Sequence, residues 1–250
     1  MTKVRIDKLL VERGLTPSRE RAQALILAGR VLVDEQRVEK SGTAVNESAV
    51  IRLLGGDIRY VSRGGLKLEH ALAHWQIAVD GAKCMDVGSS TGGFTDCLLQ
   101  HGAAFVLAVD TGYGQIDARL RADQRVRLLE KTNARYLEAA QVSERIELMA
   151  IDVSFISATL VLPAVAQAAF AGKASPRQEA VILVKPQFEA GREQVGKGGI
   201  VRDARAQQLA VDKVSRAAAE LGATGIEVTE SPILGAEGNR EFLLHCMFHL

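Results

Sequence analysis

The sequence predicts an α/β protein, a mostly parallel seven-stranded sheet with helices on both faces, preceded by a small α+β unit. Three observations lead there. From Lys83 onward, apolar runs alternate with helical stretches: "AKCMDVG", "FVLAVD", "RVRLLE", "IELMAID", "AVILVKP", "GIEVTES" and "FLLHCMF". Continuous apolar strands separated by helices are the pattern of a sheet buried on both faces, the usual state of parallel strands. A glycine-rich turn, "DVGSSTGGF" from Asp86 to Phe94, directly follows the first run, at the edge where open α/β sheets bind ligands. The first sixty residues differ from all this in reading as short helices and short β runs. They are also basic, with eleven basic and eight acidic side chains for a balance of +3, against −2 in the remainder.

Composition sets the outer bounds. A chain of 250 residues, 47% apolar and 24% charged, is an ordinary globular protein long enough for a small domain joined to a medium one. The N-terminus, "MTKVRIDKLL", has charges where a secretory signal needs an apolar core. The longest apolar stretch, "ATLVLPAVAQAAFAG", is broken by Pro163 and Gln167 and falls short of the roughly 18 residues of a membrane span. Cys84, Cys97 and Cys246 are odd in number and far apart, which suits neither a disulfide framework nor a four-ligand zinc site. They read as reduced core residues, and the location they predict is cytoplasmic.

Residues 1–58 make the first predicted domain. In "VRIDKLLVERG", Val4, Ile6, Leu9 and Leu10 fit one helix face and Gly14 supplies the stop. In "TPSRERAQALILAGRVLV", Thr16 is placed as N-cap, Pro17 at the first helical position, Glu20 in the first turn and Gly29 at the exit into a strand over Val31 to Val33. Short β runs and turns follow through "VIRLL". This order of pieces, with "SRERAQALILAGRVLVD", resembles the S4 RNA-binding domain. The resemblance implies that Lys3, Arg5, Arg19 and Lys40 lie near RNA phosphates, contacts that position a nucleic acid rather than read it. Residues 59–66, within "GGDIRYVSRGGLKL", read as a linker leading into a functional loop, and residues 67–250 as the second domain.

The glycine turn is open to two readings, an ordinary strand-to-helix turn or a ligand loop whose bare backbone faces the positive end of a helix. A dinucleotide fingerprint requires G-x-G-x-x-G, but here Gly88, Ser89, Ser90, Thr91, Gly92 and Gly93 follow one another. S-adenosylmethionine has no phosphate, and Asp86 with the backbone from Gly88 to Phe94 suits its amino-acid end. Asp110 ends the second run, where a carboxylate accepts ribose hydroxyls, a feature shared with NAD proteins. "GREQVGKGG", from Gly191, nearly spells a P-loop, but Gly198 stands where Ser or Thr holds magnesium. It reads instead as a mobile basic loop, with Arg192, Lys197 and Arg202, that closes over a nucleic acid.

Four polar residues stand at element ends: Lys67 in "SRGGLKL", Asp152 in "MAIDVSF", Lys185 in "ILVKPQF" and Glu241 in "NREFLL". A lysine ending a buried strand is costly without partners, and the carboxyl edge is where a site belongs. This order, with "DVGSSTGGF", resembles the FtsJ-like ribose 2′-O-methyltransferases, whose Rossmann-like sheet has an antiparallel last strand. Together with the S4 pieces, the runs "VSRGGLKL", "STGGFTDCLL", "DVSFIS" and "LVKPQFE" resemble the TlyA family, often labelled hemolysin A.

The resemblance implies methyl transfer from S-adenosylmethionine to a ribose 2′-hydroxyl of ribosomal RNA, in cytidines, without a metal. Lys67, Asp152, Lys185 and Glu241 would be catalytic. Lys185 takes the proton, Asp152 aligns the lysines near the methyl group, and Glu241 orients Lys67 or the ribose. Asp86, Gly88, Ser89, Ser90, Gly92, Gly93, Phe94, Asp110 and Asp152 would hold the cofactor. Asn133, in "EKTNAR", either reads the adenine or caps a helix. Arg63 and Arg135 would flank the RNA entrance. The end of the chain directly after the last strand favours a large-subunit target. Two alternatives come from other classes, a cytolysin, which the hemolysin label suggests, and an RNA-binding assembly factor without turnover.

Overall fold

The structure is a computed structural model describing residues 3–16, 18–27, 29–54, 59–172, 175, 177–235 and 238–250 apart from the side chain of residue 192. Pro17 and the Arg192 side chain, both used in the sequence reading, lie outside the described residues. The chain divides into two units, Met1–Ile58 and Arg59–Leu250.

The first unit runs β1 (Lys3–Arg5), α1 (Ile6–Glu12), α2 (Arg19–Leu27), β2 (Val31–Val33), β3 (Gln36–Arg37), β4 (Ala44–Asn46) and β5 (Ile51–Leu53). Strand β1 pairs antiparallel with β4, and β2 sits between β3 and β5. Ile6, Leu10, Ile26 and Val31 are fully buried at its centre. Val4, expected on the first helix, instead pairs with Val45 in β1, so α1 starts two residues later. Thr16 does not cap α2. Its N–H donates to the Leu10 carbonyl and belongs to the end of α1, while the Ser18 hydroxyl accepts the Arg21 N–H at 3.2 Å.

The second unit runs α3 (Gly64–His74), β6 (Lys83–Val87), α4 (Gly93–Gln100), β7 (Phe105–Val109), α5 (Ala118–Ala122), β8 (Val126–Leu129), β9 (Leu148–Ile151), α6 (Ala158–Phe170), β10 (Glu179–Val184), α7 (Pro186–Glu189), α8 (Ala204–Glu220), β11 (Thr224–Glu230) and β12 (Phe242–Met247). All seven predicted runs are strands of one sheet, in the order β11-β12-β10-β9-β6-β7-β8. Only β12 runs antiparallel to its neighbours β10 and β11. Alternation along β6 sends Met85 and Val87 to a core shared with α6 and α8, and Cys84 to one shared with α3 and α4. The reversal of β12 has one consequence for the site. The C-terminal ends of β6, β9 and β10 and the N-terminal end of β12 share one edge.

Residues 59–66, read as a linker, are packed into this unit. Tyr60 and Val61 are buried, the Val61 N–H donates to Asp96 Oδ2 at 2.7 Å, and α3 has already begun at Gly64. Glycines here serve close approach. A Cβ on Gly65 would fall 2.3 Å from the Tyr60 ring, and one on Gly93 would fall 2.2 Å from Ser62 Oγ. All three cysteines are buried, and burial pushes each thiol up to about 12. Among the described residues no helix is long and apolar enough to cross a membrane.

Candidate active site

Asp152 directly follows β9, Lys185 directly follows β10, and Glu241 directly precedes β12, so the fold brings all three to one edge. Lys67 reaches the site from the first turn of α3, a helix where the sequence suggested a loop. Lys185 Nζ lies 2.6 Å from Asp152 Oδ1 and donates to Ser154 Oγ at 2.7 Å. Lys67 Nζ donates to Glu241 Oε2 at 2.5 Å. Both lysines are buried, and Glu241 is only 2% exposed. Each lysine therefore has its own carboxylate, whereas the sequence reading had Asp152 aligning both. Gly235 makes room for the Glu241 carboxylate, because a Cβ there would fall 2.3 Å from Oε1.

The glycine loop lies beside these pairs. Gly88, at φ +87°, crosses so close to the end of β9 that a Cβ would meet the Asp152 carbonyl oxygen at 2.4 Å. Gly92, at φ +97°, turns the chain into α4. Asp86 is fully buried, and its Oδ2 accepts the Thr95 N–H at 2.9 Å and the Thr95 hydroxyl at 2.6 Å. Its Oδ1 is buried with no hydrogen-bond partner among the described residues. Burial, aided by the nearby Asp152 and Asp110 and opposed by the Thr95 bonds, pushes the Asp86 carboxyl up to about 7.

Asp110 Oδ2 accepts the Ser90 N–H at 2.7 Å and Oδ1 the Gly112 N–H at 2.6 Å. Each oxygen keeps a lone pair for a hydroxyl. These groups fit S-adenosylmethionine: a buried, unsatisfied carboxylate for its cationic amino-acid end, and a braced one for its ribose. Ser89 and Phe94 are both buried, Phe94 within the core shared with α3. Asn133 caps a short helical turn, its Oδ1 accepting the Arg135 N–H at 3.1 Å, the capping alternative of the sequence reading.

Several contributors escaped the sequence. Phe155, two residues past Val153, is 93% exposed at φ +64°, a conformation strained for an aromatic residue. Its ring lies 5.4 Å from that of Phe188, over which Lys185 Nζ sits at 5.9 Å. The only hint was an aromatic residue between serines in "DVSFIS".

Asn239, 1% exposed, accepts the Val201 N–H and donates to the Gly199 carbonyl, both at 2.9 Å. Gln207 holds the Val201 carbonyl at 2.8 Å. Within the 191–202 segment, expected to be a mobile loop, residues 199–201 are thus bonded to a residue two positions before Glu241, with Lys197 and Arg202 exposed. Arg63 is exposed beside the start of α3, and Arg135 is exposed 5.6 Å from the Tyr136 ring.

In the first unit Lys3 and Lys40 are exposed. Arg5 and Arg19 are not free cations. Asp7, whose side chain is fully buried, takes Arg5 Nε at 3.0 Å and Nη2 at 2.8 Å, Arg19 Nη2 at 3.0 Å and Gln23 Nε2 at 3.1 Å.

A mostly parallel sheet with one reversed strand next to its edge, a glycine loop at its carboxyl edge and two lysine–carboxylate pairs beside it define a methyltransferase of the Rossmann-like class. The FtsJ-like methyltransferase model matches residues 60–248 and the S4 domain model residues 4–51. The chain belongs to the FtsJ-like methyltransferase family and carries an S4 domain. It is 46% identical, over 97% of its length and 89% of the relative's, to the 16S/23S rRNA (cytidine-2′-O)-methyltransferase TlyA of Mycobacterium tuberculosis. It is 39% identical to Hemolysin A of Brachyspira hyodysenteriae, over 97% and 99% of the two chains. A solved structure from Streptococcus thermophilus, described as a candidate hemolysin, superposes with a TM-score of 0.76 at 43% identity, covering 99% of this chain and 89% of that one.

Proposed function

We propose that this protein transfers a methyl group from S-adenosylmethionine to the 2′-hydroxyl of a cytidine in ribosomal RNA, with the S4 unit holding the RNA. The observation that carries the reading is the Lys185–Asp152–Ser154 cluster at the carboxyl edge, with Phe155 exposed beside it and the glycine loop behind it. S-adenosylmethionine supplies an electrophilic methyl carbon on a sulfonium, and no metal is needed for that chemistry.

A ribose hydroxyl is a poor nucleophile at neutral pH, so its proton must leave as the oxygen attacks. Lys185, once neutral, receives that proton at Nζ, and Asp152 stabilises the ammonium that results. Ser154, exposed to water and bonded to Lys185 Nζ, gives the proton an exit. Lys67, fixed by Glu241, presents positive charge to the ribose oxygen as it loses its proton. Phe155 offers a face on which the target base stacks once drawn out of its helix. The buried Asp86 carboxylate and the braced Asp110 carboxylate hold the cofactor.

The test is incubation of the purified protein with labelled S-adenosylmethionine and deproteinised ribosomal RNA from cells lacking the gene, followed by nucleoside analysis. Label in 2′-O-methylcytidine is expected. Label on a base, or none despite cofactor binding, would overturn the reading.

A further inference from the structure

We propose that Asp7 is a positioning residue for RNA binding: its buried carboxylate locks Arg5 and Arg19 into one rigid pair of guanidinium groups that receives a backbone phosphate. The inference rests on the RNA-binding reading of the first unit and goes beyond it, because Asp7 itself, fully buried, would never touch the nucleic acid.

Three segments meet at this carboxylate. Arg5 ends β1, Asp7 lies in the first turn of α1, and Arg19 and Gln23 stand one turn apart on α2. Arg5 engages Asp7 through Nε and Nη2, so that among the described residues Nη1 takes no part in that pairing, and Arg19 engages it through Nη2. Both arginine side chains remain about half exposed, at 53% and 52%, so their outer edges face solvent while their inner edges are fixed. The Arg5 hydrogen bonds hold the Asp7 carboxyl well below the usual carboxylate range, with Gln23 and Arg19 adding to the effect.

The turn that carries Lys40 is joined to the same place. The Ile6 N–H donates to the Thr43 carbonyl at 2.9 Å and the Asp7 N–H to the Ser41 carbonyl at 3.3 Å. The Arg5 guanidinium lies over Gly42, 3.6 Å from where a Cβ would stand. The cluster is arranged so that two planar, weakly hydrated cations keep a fixed separation, which suits bidentate recognition of phosphate and spares the rotamer entropy of two long side chains.

A carboxylate beside two cations also removes charge, and the two effects predict opposite outcomes. Asp7→Asn raises the net charge of the unit by one, so a purely electrostatic account predicts tighter RNA binding. Positioning predicts weaker binding, because the new amide N–H₂ faces guanidinium donors and the fork is lost. The experiment measures binding of the full-length variant to deproteinised ribosomal RNA across a range of salt, with thermal unfolding and S-adenosylmethionine affinity measured alongside.

The expected result for Asp7→Asn is RNA affinity about tenfold weaker, with a KM raised to match, kcat at saturating RNA within about twofold, and cofactor affinity unchanged. Unchanged or tighter RNA binding by a folded Asp7→Asn protein overturns the proposal. Arg5→Lys guards against a variant that fails to fold, since it preserves the charge and leaves Asp7 compensated. It is expected to lose several-fold in RNA affinity, and wild-type affinity would equally overturn the proposal. Failure of the wild-type protein to bind ribosomal RNA would instead sink the RNA-binding reading itself.

Discussion

In the first unit one buried carboxylate, Asp7, collects two arginines and a glutamine, and the surplus charge faces water on half-exposed guanidinium edges. In the second unit each buried lysine has a carboxylate of its own, Lys185 with Asp152 and Lys67 with Glu241. The difference follows from what each place must do. A surface that attracts phosphates gains from net positive charge held in shape, and two cations on one anion leave such a residue. A site that moves a proton needs a lysine able to exist in both forms, and a paired carboxylate lets the charge appear without a stranded ion in the interior. The two lysine pairs differ again between themselves. Lys185 also has a hydroxyl that reaches water, whereas Lys67 is held by a glutamate that is 2% exposed.

The largest effect expected from breaking this contrast is at Lys185. Lys185→Arg keeps the positive charge and an ion pair with Asp152 but removes the ability to accept a proton. Methyl transfer to ribosomal RNA should fall by about 10²–10⁴-fold, the range of general-base loss, while calorimetry finds S-adenosylmethionine affinity within about twofold of the parent. Substantial turnover by this variant would mean that the proton leaves by another route and that Lys185 only positions the ribose.

The next effect separates charge from structure at the other pair. Glu241→Gln strands the Lys67 ammonium in the interior and should cost about 3–5 kcal/mol of stability, read as a large fall in midpoint by denaturant unfolding. The double change Lys67→Met with Glu241→Leu removes both charges and should restore most of that stability without restoring methyl transfer. Recovery of activity by the double variant would reduce the pair to a packing role.

Much of this was legible in the sequence because the relevant signals are local. Seven apolar runs became seven strands, and Asp152, Lys185 and Glu241 stand at strand ends that β12's reversal gathers at one edge. Partnership was not legible. Which carboxylate meets which lysine depends on α3 approaching across Gly64 and Gly65, and that segment reads as a linker until the Tyr60 and Ser62 contacts are seen. Asp7 escaped for a related reason. An aspartate followed directly by a lysine at the start of a short helix looks like ordinary surface charge, and its burial arises from the 40–43 turn and α2 closing over it. Asn239 carried no sequence signal, since its work is to tie down a loop about forty residues earlier in the chain. Phe155 was equally hidden, because a positive φ cannot be read from composition.

The smallest effect concerns the third way this protein treats a buried acid, a carboxylate with no cation beside it. Burial holds the Asp86 carboxyl up at about 7 in the folded chain, against about 3.9 for an unperturbed aspartate. The folded state therefore binds more protons than the unfolded state between those values, and stability falls as pH rises through that window. The loss is bounded above by about 4 kcal/mol, with about half that expected once local relaxation softens the burial. Asp86→Asn, neutral at every pH, should remove this slope. The variant should match the parent near pH 4 and exceed it at pH 8 in denaturant unfolding, while binding S-adenosylmethionine more weakly. Saturating cofactor should flatten the parent's slope too, because a cation brought to Oδ1 stabilises the charged form. A parent protein whose stability is flat from pH 4 to pH 7 without cofactor would show that Asp86 is ionised throughout. Asp86 would then need a partner beyond Thr95, and the contrast with the paired lysines would narrow to the two units' surfaces.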